Sequence, residues 1–144
     1  MNTVGTMLKS KGNKVFTVPV NATVLDAIEV LLENKIGSVL VVDGDSLVGI
    51  FTERDFAHKI GPKRKDPARL NIADVMTRDV FTVTPDQSVN VCMSLMTDNH
   101  IRHLPVLQDG KLVGIVSIGD VVKDIIEELQ FMVEQFEKYI QGLR

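Results

Sequence analysis

At 144 residues, with 44% hydrophobic and 24% charged side chains, the chain has the make-up of one compact globular domain with a sizeable core. A formal net charge of −3 gives no global attraction for nucleic acid, and the single cysteine, Cys92, leaves no intrachain disulfide to form. No apolar run approaches the roughly 20 residues of a membrane span, and with no signal-like start the expected location is the cytoplasm or a comparable reducing compartment.

In chain order, Thr3 to Ser10 reads as a short helix with Val4, Met7 and Leu8 on one face, followed by a turn at Lys11-Gly12-Asn13-Lys14. Val15 to Val18 is a short strand ended by Pro19. Thr23 opens a helix, with Asp26 three residues on as its capping-box partner. Val24, Ala27, Ile28, Leu31 and Leu32 recur at helical spacing, and the helix stops before Gly37. Val39 to Val42 is an apolar strand, Asp43-Gly44-Asp45 a turn, and Leu47 to Thr52 the returning strand. A short helix is expected from Glu53 to Ile60, then a charged, proline-flanked surface linker from Gly61 to Pro67. Asn71 to Met76 is a second short helix and Val80 to Val83 a second leading strand. Ser88 caps a helix whose inward stripe is expected to be Val89, Cys92, Met93 and Met96. Arg102 to Leu107 and Leu112 to Ser117 form another hairpin, turned at Asp109-Gly110.

The elements repeat because the sequence does. Leu47-Val48-Gly49-Ile50-Phe51-Thr52-Glu53-Arg54-Asp55 is answered by Leu112-Val113-Gly114-Ile115-Val116-Ser117-Ile118-Gly119-Asp120 at an offset of 65 residues. Val15-Phe16-Thr17-Val18 and Val80-Phe81-Thr82-Val83 share that offset. Upstream, Val4 answers Ile72 and Met7 answers Val75 at an offset of 68, so the first copy carries three extra residues near Lys11-Gly12-Asn13. The expected fold is α/β (α+β): two tandem β-α-β-β-α units around a pseudo-two-fold axis, burying their sheets against each other, with a long C-terminal helix. The expected divisions are residues 1–70 for the first unit with its lead helix and linker, 71–127 for the second, and 128–144 for the helical extension.

In each unit a hydroxyl residue, Thr52 or Ser117, stands where strand becomes helix, and an aspartate, Asp55 or Asp120, follows three positions on. The hydroxyl and the free amides of a helix start suit a phosphate. The carboxylate, acceptor-only when ionised, suits two adjacent hydroxyls such as those of a ribose. The same pattern also reads as a helix cap, and the two roles are compatible. Arg54, Arg102 and His103 add positive charge near the same places. His100 and His103 have no cysteine or carboxylate at ligand spacing, so no metal is expected. The chain has no phosphate loop, no Gly-x-Gly-x-x-Gly, no zinc motif and no nucleophile elbow, and it is not expected to be an enzyme. Val122, Ile126, Leu129, Val133, Phe136, Ile140 and Leu143 step by alternating four and three, a heptad seam that calls for a partner helix, most simply from a second copy of the chain.

On the segments Gly49 to Asp55, Gly114 to Asp120, Ile101 to Val106, Val15 to Pro19 and Val80 to Pro85, the chain resembles a CBS domain pair, or Bateman module, over nearly its full length. That resemblance implies sensing of adenosyl ligands: AMP first, then ATP, ADP or NAD, and in some members S-adenosylmethionine. It implies that Asp55 and Asp120 hold ribose hydroxyls and that Thr52 and Ser117 hold the phosphate region. It further implies that Thr17 and Thr82, with the strand starts Ile36-Gly37-Ser38 and Ile101-Arg102-His103, line the adenine slot and cleft floor. The slot between Thr82, Ile101 and Pro105 suits a purine. Where the second unit has Arg102-His103-Leu104-Pro105 the first has Gly37-Ser38-Val39-Leu40, so the two clefts are expected to differ. The leading expectation is a stand-alone module, a homodimer, that binds an adenine nucleotide and regulates a partner protein the sequence does not name. The alternatives are a structural homodimeric adaptor with vestigial clefts and, behind it, a small enzyme acting on a nucleotide.

Overall fold

The computed structural model describes residues 2–143; Met1 and Arg144, which the expected terminal segments include, lie outside the described residues. Helix α1 (Val4–Lys11) is capped by the Thr3 hydroxyl, which accepts from the Thr6 N–H at 3.2 Å, and it ends at Gly12 with φ 97°. Lys11, expected in a turn, is therefore the last helical residue, and the Gly12 N–H closes on the Leu8 carbonyl at 2.8 Å. Strand β1 (Thr17–Pro19) lies two residues beyond the expected start and pairs parallel with β2 (Ser38–Asp43) at its edge, where Pro19 needs no donor. Between them runs α2 (Val24–Asn34), closed at its start by a reciprocal Thr23–Asp26 capping box with bonds of 3.1 and 2.9 Å. Strand β3 (Ser46–Thr52) returns antiparallel to β2 and runs into α3 (Glu53–Asp55), which widens into a π-turn over Phe56–Ile60 rather than continuing as the expected α-helix.

After a 3₁₀ turn at Pro67–Arg69, the second copy follows as α4 (Ile72–Val75), α5 (Val89–Asn99), β4 (His103–Gln108), β5 (Lys111–Ser117) and α6 (Ile118–Gly142). The hairpins share even their irregularities: the register slips between Val41 and Val42 in one and between Val106 and Leu107 in the other. Asp109 and Gly110, φ 53° and 77°, make the second turn with two left-handed residues, as a tight hairpin requires.

The leading strand expected at Val80 to Val83 does not form; a single parallel bridge, Val83 to Val106, remains. The cause is Pro105. In the first unit the Leu40 N–H donates to the Phe16 carbonyl at 3.1 Å. Pro105 stands at the matching position, 65 residues on, and has no N–H for Phe81. Met93, expected on the inward stripe of α5, is 38% exposed, while Val89, Cys92 and Met96 are buried.

The core divides into two clusters, and the lead helices cross between them. Val4, Met7 and Leu8 of α1 pack with Val83, Val89, Cys92, Leu104 and Val116 of the second unit. Ile72, Val75 and Met76 pack with Val24, Leu31, Val39 and Phe51 of the first. Backbone bonds fix the exchange: Val4 N–H to Gln87 carbonyl (2.8 Å) and Val89 N–H to Asn2 carbonyl (3.1 Å) are mirrored by Ile72 to Ala22 and Val24 to Leu70 (2.9 Å each). Neither unit can leave the other without exposing a helix's worth of apolar surface. Among the described residues no helix is long and apolar enough to cross a membrane, and no cluster of three or more His, Cys, Asp or Glu could hold a metal ion.

Candidate functional site

Both predicted Thr/Ser-x-x-Asp motifs form capping boxes. Thr52 accepts from the Asp55 N–H at 3.2 Å while Asp55 Oδ2 accepts from the Thr52 N–H at 2.9 Å. Ser117 and Asp120 repeat the pattern at 3.2 and 2.8 Å. Ser38 lies across the sheet from Thr52, and His103 across from Ser117, so each strand start faces its motif. This is how a spacing of three residues becomes a carboxylate set beside a helix start.

The two carboxylates differ in how they are closed. Asp55 has 12% of its side chain exposed; its Oδ1 receives the Thr77 hydroxyl at 3.3 Å and the Lys59 ammonium at 3.1 Å. Asp120 keeps more contact with solvent, 22% of its side chain, and is paired with Lys11 at 2.6 Å. Burial alone would raise the Asp120 carboxyl, but the Lys11 and Ser117 hydrogen bonds outweigh it and hold the group below its ordinary 3.8. Lys11 also donates to the Ile115 carbonyl at 2.8 Å.

Across the unit boundary, a β-carbon added at Gly37 would lie 3.5 Å from the His103 imidazole and 3.7 Å from a Glu53 carboxylate oxygen. Gly37 of the first unit thus lies in van der Waals reach of the His103 ring of the second. Burial pushes His103 below its ordinary 6.5, partly offset by Glu53 and by Asp120, while Arg102 and Lys11 push the same way as burial. Burial thus favours the neutral imidazole over the cation at His103. The Arg54 guanidinium donates to the His100 carbonyl at 3.0 Å and ties α3 to the end of α5.

Of the other predicted residues, Thr17 is exposed on β1, Ile36 and Gly37 are half-buried before β2, and Thr82 and Ile101 are half-buried beside the second core. Arg102 is exposed, and Pro105 is buried on β4 opposite Ile115. Two hollows, neither lined by Asp55 or Asp120 themselves, lie beside the helix starts that carry them. One, of about 490 Å³, is walled by Ile28, Leu32, Ile36 and Phe56; the other, of about 550 Å³, runs along α6 past Val122 and Ile126. Sequence reading missed Lys11, Lys59 and Thr77. Lys11 had a signal, since it falls in the three-residue excess of the first copy; Thr77 had none.

Comparison with known proteins agrees with this architecture. The CBS domain family matches twice, at residues 8–61 and 72–127. The mitochondrial CBS domain-containing protein CBSX3 of Arabidopsis thaliana is 36% identical over 97% of this chain and 72% of its own length. A solved CBS-domain protein of Burkholderia ambifaria is 45% identical, with a TM-score of 0.83 over 88% of this chain and 95% of that one. A CBS domain protein of Pyrobaculum aerophilum, solved in complex with AMP, shares the fold at 24% identity, with a TM-score of 0.74 over 82% of this chain and 88% of that one. Domain pairs of this kind generally bind adenosine ligands and act as regulatory modules rather than enzymes. With two matched domains, the crossed lead helices and the paired capping-box carboxylates, the chain belongs to the CBS-domain family as a tandem pair.

Proposed function

We propose that this chain is a regulatory sensor of an adenine nucleotide, AMP before ATP, ADP or NAD, and that the cleft at Asp120 is its principal site. The carrying observation is the partly open Asp120 carboxylate, beside Ser117, the start of α6, Lys11 and His103. The carboxylate takes the ribose hydroxyls; Ser117 Oγ and the first amides of α6 take the phosphate. Thr82, Ile101, Arg102 and Pro105 form the purine side, with Gly37 and His103 at the floor. The first cleft, built from Thr17, Ile36, Ser38, Thr52, Arg54 and Asp55, binds more weakly, because Thr77 and Lys59 already occupy Asp55. The AMP carried by the Pyrobaculum aerophilum relative supports the ligand class.

The working form is a homodimer in an aqueous reducing compartment such as the cytoplasm, where the buried Cys92 stays a thiol. Its partner surface is the apolar stripe of α6, where Leu129, Phe136 and Leu143 are more than half exposed. Filling a cleft biases the angle between the units, and a regulated partner protein reads that angle. The adaptor reading keeps one observation in its favour: each aspartate is already satisfied from within the chain. A thermal-shift screen separates the two. A ligand at a hundred times its dissociation constant stabilises the protein by about 2.7 kcal/mol, a rise of a few degrees in Tm. No shift with AMP, ADP, ATP, NAD or S-adenosylmethionine at millimolar concentration would leave the adaptor.

A further inference from the structure

The two halves satisfy the same pair of acceptors in different ways. In the first unit Thr77 serves both: its N–H donates to the Ile50 carbonyl at 2.9 Å and its hydroxyl to Asp55 at 3.3 Å. The corresponding acceptors 65 residues on are the Ile115 carbonyl and Asp120, and there one ammonium, that of Lys11, serves both at 2.8 and 2.6 Å. Helix length brings this about. α1 runs eight residues where α4 runs four, and the extra turn delivers Lys11 to the cleft.

Thr77 cannot leave its post, because its backbone is bonded both ways to Ile50, at 2.9 and 3.0 Å. Lys11 is held in the cleft only by the tip of a flexible four-carbon stem, and its side chain is 30% exposed. Beyond the capping contacts common to both units, the first acceptor pair is closed by a Thr77 fixed through its backbone, with Lys59 adding a second contact to Asp55 at 3.1 Å, and the second pair by Lys11, a side chain that can swing away.

We propose that Lys11 selects phosphorylated ligands at the Asp120 cleft: it occupies the carboxylate while the cleft is empty and turns to the ligand's phosphate when ribose hydroxyls take its place. This rests on the nucleotide reading of the Asp120 cleft given above. The exchange conserves hydrogen bonds, since two hydroxyl donors replace one ammonium on Asp120 and the ammonium gains phosphate oxygens. A bare nucleoside must displace the same ammonium and offers it nothing in return, so discrimination comes from a charge left without its partner.

Calorimetry on the full chain with AMP and with adenosine tests this, read on the site that Asp120→Asn removes. Lys11→Met is expected to weaken AMP by at least about ten-fold, while adenosine binds as before or more tightly. Lys11→Arg keeps the preference for AMP. Should the methionine variant fail to fold, Lys11→Gln gives the same reading, because it retains a donor for the Ile115 carbonyl without the charge. An unchanged ratio of AMP to adenosine affinity in the uncharged variant overturns the role of Lys11 and leaves the nucleotide site standing. Wild-type protein that binds neither ligand overturns both.

Discussion

Leu8 lies directly over Gly114: a β-carbon on that glycine would stand 2.8 Å from both Leu8 methyl groups. Met76 covers Gly49 in the same way, with its Cγ 2.8 Å from the corresponding position. The glycine of each repeated motif is therefore the seat of a lead helix, and each lead helix sits in the core it does not precede in sequence. Gly114→Ala should destabilise the chain by about 1–3 kcal/mol, the range for overfilling a packed core. In the double variant Leu8→Ala/Gly114→Ala the added methyl finds space, and the two changes should couple favourably by about 0.5–3 kcal/mol. Urea titrations of the four proteins measure this; additive losses would mean that α1 is not seated on β5.

The two aspartates should respond differently to removal. Asp120→Ala is expected to weaken AMP binding about ten- to a hundred-fold, the consequence of losing charged hydrogen bonds. Asp55→Ala acts on the fold first. It strips the Thr77 hydroxyl and the Lys59 ammonium of their buried acceptor, at about 1–3 kcal/mol. Calorimetry with paired thermal melts checks the contrast, and equal binding losses with no stability difference would contradict it.

His103 should make stability depend on pH. Its folded pKa lies below 6.5, so as pH falls through 6.5 the unfolded chain takes up the proton first. The stability it contributes is complete above that value and declines below it. Glu53, Arg102, Asp120 and Lys11 all act on this ring, and Asp120, itself held below 3.8, loses its own contribution only at much lower pH. Comparing urea midpoints at pH 7.5 and 5.5, the drop should be smaller in His103→Gln than in wild type. An identical drop would move the pH dependence elsewhere.

Deleting residues 129–143 removes most of the exposed heptad seam without touching either buried cluster. The shortened chain should keep its cooperative melt and lose dimer affinity. Positions Ile126, Val133 and Ile140 are β-branched where a parallel two-stranded coil prefers them, which favours a pair over a larger bundle. Light scattering at micromolar concentration decides; a full-length monomer would remove the premise.

Cys92 is fully buried, and burial pushes its thiol up to about 11. It should resist alkylation in the native protein at pH 8 and react on unfolding in urea. Mass spectrometry reads both states, and rapid native labelling would place Cys92 outside the second core.

What the sequence by itself determined is what depends on near neighbours. The repeat, the hairpins and the caps at Thr23, Thr52, Ser88 and Ser117 were legible because a strand's alternation, a two-residue turn and a three-residue capping box act within one turn of chain. The tertiary structure decided what distance hides. Thr3 bridges to Ser88, Lys11 reaches Asp120 across 109 positions, and Met93 is left outward while Val89, Cys92 and Met96 are buried. Pro105 was visible in the sequence, but its effect was not, because a missing N–H matters only once Phe81 lies opposite it in the fold. The inequality of the clefts has the same origin. Matching aspartates meet a fixed Thr77 in one place and a movable Lys11 in the other, and only packing brings those partners within hydrogen-bond reach.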